Sequence, residues 1–253
     1  MTQPRAYIIC TSPRSGSTLL CNLLAATGKA GSPNSHFHTP SLSGWRKAYG
    51  ISRADFTDDR ESLRAVFAAA LRKGTGDTDL FGLRMQRGSF GFFIQQAGIL
   101  YPAATSERAR IEAAFGATLF IHLTRTNKLD QAISCVKAMQ TGLWHRAADG
   151  RELERLSASK EPVYDAEQIA QHVAEFTSHE AEWTRWFARE RLTPLRVSYD
   201  ALSDNPQAVL AEVLAALGLD PEVARGIKPS VAKLADAVNQ DWAARFLSER
   251  GDR

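Results

Sequence analysis

Cysteine is scarce in this chain of 253 residues: there are three copies, an odd number. Cys10, Cys21 and Cys135 each lie in apolar surroundings. A disulfide framework is built from an even set of cysteines at regular spacings, and a zinc site from paired ligands, and neither pattern is present. The three cysteines are therefore predicted to be reduced residues of the core.

Long apolar runs are also missing, since no stretch approaches the roughly 20 residues needed to span a bilayer. The N-terminus, "MTQPRAYIICTSPR", leads directly into an apolar segment and lacks the hydrophobic region and cleavage site of a signal peptide. We therefore expect a cytoplasmic protein without an integral membrane segment.

A strong charge of either sign is absent too, because the formal net charge is +3 and the pI is near 8.8. A protein that binds a long nucleic acid usually carries a concentrated basic face. The mild excess of positive charge favours a small anionic ligand and argues against nucleic acid.

What the chain does contain is a regular alternation of apolar runs and helical patterns. The runs at 6–11, 79–86, 117–125 and 193–199 predict strands, and helices are predicted from Ser17 to Gly28, at 58–72, 106–116, 128–141 and 165–191, and from Asn205 onwards. Alternating strands and helices form a parallel sheet covered on both faces. We predict a three-layer α/β/α fold, with residues 1–253 forming a single domain.

The segment "SPRSGST", which joins the first strand to the first helix, is typical of an anion-binding loop. A helix N-terminus offers free backbone N–H groups and the positive end of its dipole. Gly16 allows the backbone to approach an oxyanion, Ser15, Ser17 and Thr18 supply hydroxyl groups, and Arg14 supplies a guanidinium fork. The loop is predicted to hold a phosphate or a sulfate.

The lysine of the common nucleotide-binding loop is absent, because Ser17 occupies its position. No strand ends in an aspartate suited to magnesium, and the third strand ends instead at Arg125. These features indicate that arginines, without a metal, neutralise the anion. A serine-rich helix cap with no ligand is the alternative for the loop taken alone.

The motifs together resemble the sulfotransferases that use 3′-phosphoadenosine-5′-phosphosulfate (PAPS), and most closely the bacterial carbohydrate sulfotransferases typified by trehalose 2-sulfotransferase. The resemblance covers most of the chain, and the segments that carry it are "RSGSTLL", "FGLRM", "IHLTR", "QAIS", "AMQTGLW", "EWTRWF" and "DWAARF". It implies a sheet like that of P-loop nucleotide triphosphatases and transfer of a sulfonate to a hydroxyl group of a carbohydrate or glycolipid. It also favours a homodimer.

The resemblance further assigns the PAPS-binding residues. Arg14, Ser15, Gly16, Ser17 and Thr18 would bind the 5′-phosphosulfate, whereas Arg125 and Ser134 would bind the 3′-phosphate. Arg14 would also be catalytic, because it replaces the lysine as the group that neutralises charge on the leaving phosphate. No metal is implied.

The general base is where the sequence departs from the family. The trehalose-type enzymes carry "GEPxEFF", with the second glutamate as the proposed base, but this chain has "GSPNSHF", with Ser32 and Ser35 at the two acidic positions. A histidine suits proton transfer near neutral pH, so we predict His36 as the base, with His38 second. Both histidines as plain surface residues, or as half of a metal site, are the alternatives.

Other residues allow only weaker expectations. His122 is interpreted as a core or supporting histidine, Arg84 as either a residue of the site edge or a structural ion-pair partner, and Trp144 as either an acceptor contact or packing. The acceptor is expected to contact loops at 32–48, 86–105 and 145–163. Two other functions stay open: a P-loop kinase or nucleotide triphosphatase, and a non-catalytic protein that binds the nucleotide.

Overall fold

The computed structural model describes residues 3–147, 149–230, 234 and 236–251. Its main sheet contains four parallel strands in the order β2-β1-β3-β6. Their bounds are Ala6–Thr11 (β1), Phe81–Gln86 (β2), Thr118–Thr124 (β3) and Leu195–Ser198 (β6). A separate antiparallel pair is formed by Leu143–Arg146 (β4) and Glu152–Arg155 (β5). The four predicted strands are confirmed, each trimmed by up to two residues per end.

The strands lie centrally because their side chains are apolar on both faces. All six residues of β1 are buried, and successive side chains point to opposite sides of the sheet. Ile8 packs with one layer of helices, whereas Tyr7 and Ile9 pack with the other. Two covered faces are what a parallel sheet requires, so the predicted fold class is confirmed.

Ten α-helices accompany the strands in the part of the chain that is described. They are Ser17–Ala26 (α1), Leu42–Ala48 (α2), Asp59–Thr75 (α3), Arg87–Leu100 (α4), Glu107–Phe115 (α5), Lys128–Thr141 (α6), Ala166–Arg189 (α7), Tyr199–Asp204 (α8), Pro206–Ala216 (α9) and Ala237–Gly251 (α10). Short 3₁₀ helices lie at Arg53–Asp55 and Pro221–Gly226. None of these helices is long and apolar enough to cross a membrane.

The core has three parts. One lies between the sheet and helices α2–α5 and α7, and is rich in aromatic rings that pack around Phe37. The second joins the opposite face of the sheet to α1 and α9. The third, built on Ile133, Ile169 and Trp242, fastens α10 to α6 and α7. Cys10, Cys21 and Cys135 are buried and unpaired, as predicted.

Several expectations about local structure are wrong. The segments 32–48 and 145–163, expected as loops, contain α2 and strand β5. Residues 86–105, expected as a loop, contain α4, whose side chains Phe90, Phe93 and Ile94 fill the core. The sequence hid this helix because glycines interrupt it and no side chain caps its N-terminus. The spacing of Leu129, Ile133, Val136 and Met139 predicts one apolar stripe on α6, yet Met139 is 51% exposed.

Candidate functional site

The loop after β1 ends at an N-terminus that its own side chains leave open. Gly16 takes the N-cap position of α1 with φ 85°, no side chain caps the helix, and its first turn contains no acidic residue. Most other helices of the described chain have a capping side chain, such as Asn127 in α6. The first N–H groups of α1 are therefore available to an anion above the loop.

Gly16 is needed for a second reason, which is crowding. A Cβ atom at this position would lie 2.8 Å from Cδ2 of Tyr199. The positive φ angle already disfavours any residue with a side chain. The backbone of the loop therefore has its shape because this residue is glycine.

The hydroxyl groups of the loop do not all face the same way. Ser15 is fully buried, and its Oγ donates to the carbonyl of Ser12 at 2.9 Å and also meets Oγ1 of Thr11. Ser17 and Thr18 line a cavity above the loop. This geometry argues against the prediction that Ser15 offers its hydroxyl to the ligand, since that group holds the loop to β1.

Arg14 connects the two predicted halves of the site. Its Nε donates to Oγ of Ser134 at 3.0 Å, and its Nη1 donates to the carbonyl of Trp144 at 2.6 Å. Arg125 in turn donates from Nη1 to the carbonyl of Arg14 at 3.3 Å. Residues more than a hundred positions apart in the chain thus meet in one place.

The charge of this arginine pair is poorly balanced. Burial lowers the pKa of Arg14 below its usual value, and the charge of Arg125 contributes in the same direction. Arg125 lies 3.8 Å from Asp130, whereas no carboxylate of the described residues is within ion-pair distance of Arg14. A bound anion would relieve this repulsion, so the electrostatics favour phosphate or sulfate.

Sequence reasoning missed one residue that supports the loop. Gln131 of α6 donates from Nε2 to Oγ of Ser12 at 2.9 Å and to the carbonyl of Pro13 at 2.6 Å. Gln131 has no exposed surface. Nothing in the local sequence distinguishes it from an ordinary helix residue, because its partners lie about 118 positions earlier.

The loop forms the floor of a cavity of about 950 Å³. This volume lies in the range usual for pockets that hold a small ligand. Its other walls come from the ends of β2 and β3, from α6, from the β4–β5 hairpin, from α8 and from the start of α10. The lining residues used below are Arg14, Ser17, Thr18, Ser35, His38, Arg84, Arg125, Asp130, Ser134, Trp144, His145, Glu154, Leu156, Tyr199 and Asp236.

Arg84 belongs to the site and not to a structural ion pair. At the end of β2 it donates from Nη1 to Oγ1 of Thr18 at 2.7 Å and from Nε to Oγ of Ser35 at 2.8 Å. No carboxylate of the described residues lies within ion-pair distance of it. A second guanidinium without a described carboxylate partner thus contacts the loop, through Thr18.

His36 is not placed where a base for this cavity would be. It is 7% exposed, stacks on Phe81, and its Nε2 lies 3.1 Å from the carbonyl of Ser32. Burial lowers its pKa to about 4. The family pattern "GEPxEFF" has a phenylalanine at this position, and the ring of His36 occupies an equally apolar place. The geometry argues against His36 as the base, whereas His38 lies at the cavity wall and is exposed.

Two residues of the hairpin were not singled out as base candidates by the sequence. Nε2 of His145 lies 3.0 Å from Oγ1 of Thr18 and 3.4 Å from Oε2 of Glu154. Burial lowers the pKa of His145 to about 4, and the charges of Arg14 and Arg84 act in the same direction. The ring is therefore neutral at pH 7, so its contact with Glu154 is not an ion pair.

The remaining candidates belong to the core. His122 is 2% exposed, packs on Phe187, and burial lowers its pKa to about 4. Trp183 is buried and donates from Nε1 to the carbonyl of Thr11 at 3.0 Å. Among the residues that the structure describes, no three histidine, cysteine or acidic side chains are arranged to hold a metal ion.

Comparison with known proteins shows the family of this chain. A family model for Stf0 sulphotransferases matches residues 6–249. The chain therefore belongs to the Stf0 sulphotransferase family and is a sulfotransferase.

Two trehalose 2-sulfotransferases are similar over nearly their whole length. The one from Mycobacterium tuberculosis (strain ATCC 35801 / TMC 107 / Erdman) is 28% identical over 97% of this chain and 95% of its own. The one from Mycolicibacterium smegmatis is 30% identical over 96% of this chain and 94% of its own. A solved sulfotransferase structure from Alicyclobacillus acidocaldarius superposes on this chain with a TM-score of 0.42 and 16% sequence identity. The superposition covers 98% of this chain and 93% of the solved chain.

Proposed function

We propose that this sulfotransferase takes its sulfonate group from PAPS and transfers it to a hydroxyl group of a carbohydrate or glycolipid. The observation that carries the donor assignment is the contact between Arg14 and Ser134, with Arg125 alongside. It brings the loop suited to a phosphosulfate and the pair suited to a 3′-phosphate into one cavity. PAPS contains both anionic groups in a single molecule.

The residues present fit this donor. The open N-terminus of α1, with the backbone of Arg14, Ser15 and Gly16 and the hydroxyl groups of Ser17 and Thr18, would hold the 5′-phosphosulfate. Ser15 would contribute its N–H only, because its hydroxyl bonds within the fold.

The 3′-phosphate would lie between Arg125 and Ser134. Arg125 places its guanidinium 4.3 Å from the centre of the Tyr199 ring, which orients it within the cavity. Guanidinium groups bind phosphate through two parallel hydrogen bonds. Arg125 still has donors to offer, because its ion pair with Asp130 is long, at 3.8 Å.

The chemistry requires positioning and charge stabilisation. When bound, PAPS supplies an activated sulfonate. The protein must hold the acceptor oxygen in line with the sulfur and stabilise the negative charge that develops on the leaving phosphate. Arg14, within the loop, and Arg84, near the end of β2, both line the cavity, and neither is paired with a described carboxylate, so both suit the second task.

A carbohydrate acceptor is supported by the names of the two relatives, which act on trehalose. The wall of the cavity formed by the hairpin offers the ring of Trp144 and the exposed Leu156 for the apolar face of a sugar. We further propose that the protein acts in the cytoplasm, which three unpaired cysteines suit. A homodimer stays a prediction of the family resemblance.

Calorimetry with 3′-phosphoadenosine-5′-phosphate (PAP) tests the donor assignment. Arg14→Ala and Arg125→Ala should each weaken PAP binding by about tenfold or more, because each removes charged hydrogen bonds of about 1.5–3 kcal/mol. Arg72→Ala is the matched control, since Arg72 is exposed on α3 and outside the cavity.

Two results would contradict the proposal. One is unchanged PAP affinity in both variants. The other is stabilisation against heat by ATP with magnesium, but not by PAP, which would favour a kinase or nucleotide triphosphatase. Binding of PAP without transfer to any acceptor would favour a non-catalytic nucleotide-binding protein.

A further inference from the structure

Transfer to a hydroxyl group requires a base, and the position that the family uses for it holds Ser35. The hydroxyl of this serine accepts a hydrogen bond from Nε of Arg84 at 2.8 Å. A serine oxygen bound to a guanidinium is a poor proton acceptor, because both its own pKa and its cationic neighbour oppose uptake of a proton. The base for the proposed reaction must therefore come from another element.

Three carboxylates line the cavity among the described residues: Asp130, Glu154 and Asp236. Asp130 lies 3.8 Å from Arg125, and Asp236 forms an ion pair of 2.5 Å with Lys137. No arginine or lysine of the described chain lies within ion-pair distance of Glu154. Its carboxylate instead contacts the ring of His145, which is neutral at pH 7. It is the cavity carboxylate that no described cation neutralises.

Glu154 also faces the loop that holds the donor. One nitrogen, Nε2 of His145, contacts both Oγ1 of Thr18 and Oε2 of Glu154. Glu154 lines the same cavity as Arg14 and Thr18. The hairpin thus places a carboxylate in the cavity above the loop, which Ser35 also lines.

We propose that Glu154 is the general base of this enzyme and that His145 is a positioning residue that holds it over Thr18. The acceptor oxygen forms a bond to sulfur while the bond from sulfur to the bridging phosphate oxygen breaks. The electron pair of that bond leaves with PAP, and the proton of the acceptor hydroxyl passes to the carboxylate of Glu154. The basic carboxylate therefore lies on strand β5 in this protein, and not in the segment after α1, where the family pattern has it.

His38 is the competing base at the cavity wall. It is exposed, and no side chain of the described residues forms a hydrogen bond with its ring. Its backbone carbonyl accepts a hydrogen bond from Oγ of Ser89. A base must be held within hydrogen-bond reach of the reacting hydroxyl. Glu154 meets this requirement better because His145 connects it to the loop.

The test is turnover of PAPS by Glu154→Gln, which removes the charge and keeps the shape. PAP release is followed under single-turnover conditions with trehalose and, in parallel, with water as the acceptor, so that the natural acceptor need not be known. We expect a loss of about 100-fold or more in the rate of the chemical step with PAP affinity unchanged. Glu167→Gln, at an exposed glutamate of α7 outside the cavity, should keep the full rate.

Further variants separate the roles. Glu154→Asp should retain part of the activity that Glu154→Gln loses, because it keeps a carboxylate at this position. His145→Gln, which keeps a polar group beside Glu154, should lower kcat less than His145→Phe does. A merely structural role of His145 would lower the melting temperature and leave the pH profile unchanged.

Because this inference rests on the proposed function, its failure must be distinguishable from that of the function. If wild-type protein binds PAP and consumes PAPS while Glu154→Gln does so at the same rate, only the base is wrong. A rise in the KM of trehalose with kcat unchanged would make Glu154 a binding residue and overturn the proposal. Loss of activity in His38→Ala, with full activity in Glu154→Gln, would assign the base to His38.

Discussion

Loops of this kind usually carry a lysine at the position that Ser17 occupies here. We predict that replacing Arg14 by lysine, which keeps the positive charge, impairs the site. Arg14 uses two separate nitrogens, Nε toward Ser134 at 3.0 Å and Nη1 toward the carbonyl of Trp144 at 2.6 Å. A lysine ammonium is a single point and cannot reach both partners while it also faces a phosphate. The variant keeps the charge and loses the fork.

The expected magnitude follows from the bonds that are lost. A hydrogen bond from a charged group contributes about 1.5–3 kcal/mol, so the loss of one weakens PAP binding by about 10- to 150-fold. Arg14→Ala should weaken it at least as much, because the charge is lost as well. Titration calorimetry with PAP gives the affinities, and the melting temperature without ligand shows whether each variant is folded.

A double-mutant cycle shows whether the fork acts through Ser134. If it does, Ser134→Ala should cost much less affinity in the Arg14→Lys background than in the wild type, since the bond between the two is already lost. Wild-type affinity of Arg14→Lys for PAP would refute the reasoning, because a point charge would then suffice. Fully additive effects would show that the two residues act separately.

Two further predictions concern the stability of the fold. Gly16→Ala should lower the free energy of unfolding by about 1–2 kcal/mol or more, because φ is 85° and the added Cβ would lie 2.8 Å from the Tyr199 ring. Chemical unfolding measures this change, and an unchanged midpoint would contradict the prediction. Burial lowers the pKa of His36 and of His122 to about 4, whereas histidines of the unfolded chain have pKa values near 6.5, so between these values the unfolded chain binds more protons. The free energy of unfolding should therefore be highest above pH 6.5 and fall toward pH 4 by up to about 3 kcal/mol per histidine. Urea unfolding at pH 7 and at pH 5 measures it, and equal values would refute the prediction.

The strands and the loop of the site could be predicted because their signals are local. A buried parallel strand is apolar along its length, and "SPRSGST" combines a turn, hydroxyl groups and a helix start within seven consecutive residues. The helix α4 could not be recognised, since its stability comes from Phe90 and Phe93 packing in the core and not from its own propensities.

The position of each side chain within the site is a different kind of property. His36 and His38 are two residues apart, yet the first packs on Phe81 in the core and the second lies at the cavity wall. Ser15 and Ser17 are the same residue type two positions apart, yet the hydroxyl of Ser15 donates to the carbonyl of Ser12, whereas Ser17 lines the cavity. Sequence chemistry names candidates, but the backbone path around them selects which ones reach a ligand.

The amino-acid sequence by itself determined the α/β class, the anion-binding loop and the arginines and hydroxyl groups that make it suit a sulfonated nucleotide. Only the tertiary structure decided that Arg14 contacts Ser134, that Gln131 holds the loop and that Glu154 faces it from the hairpin. The physical reason is distance along the chain. Strand patterns and helix starts depend on neighbouring residues, whereas these contacts join residues from about 118 to 120 positions apart, and Glu154 is separated from the loop by still more residues. Such contacts exist only once the sheet and its helices have packed.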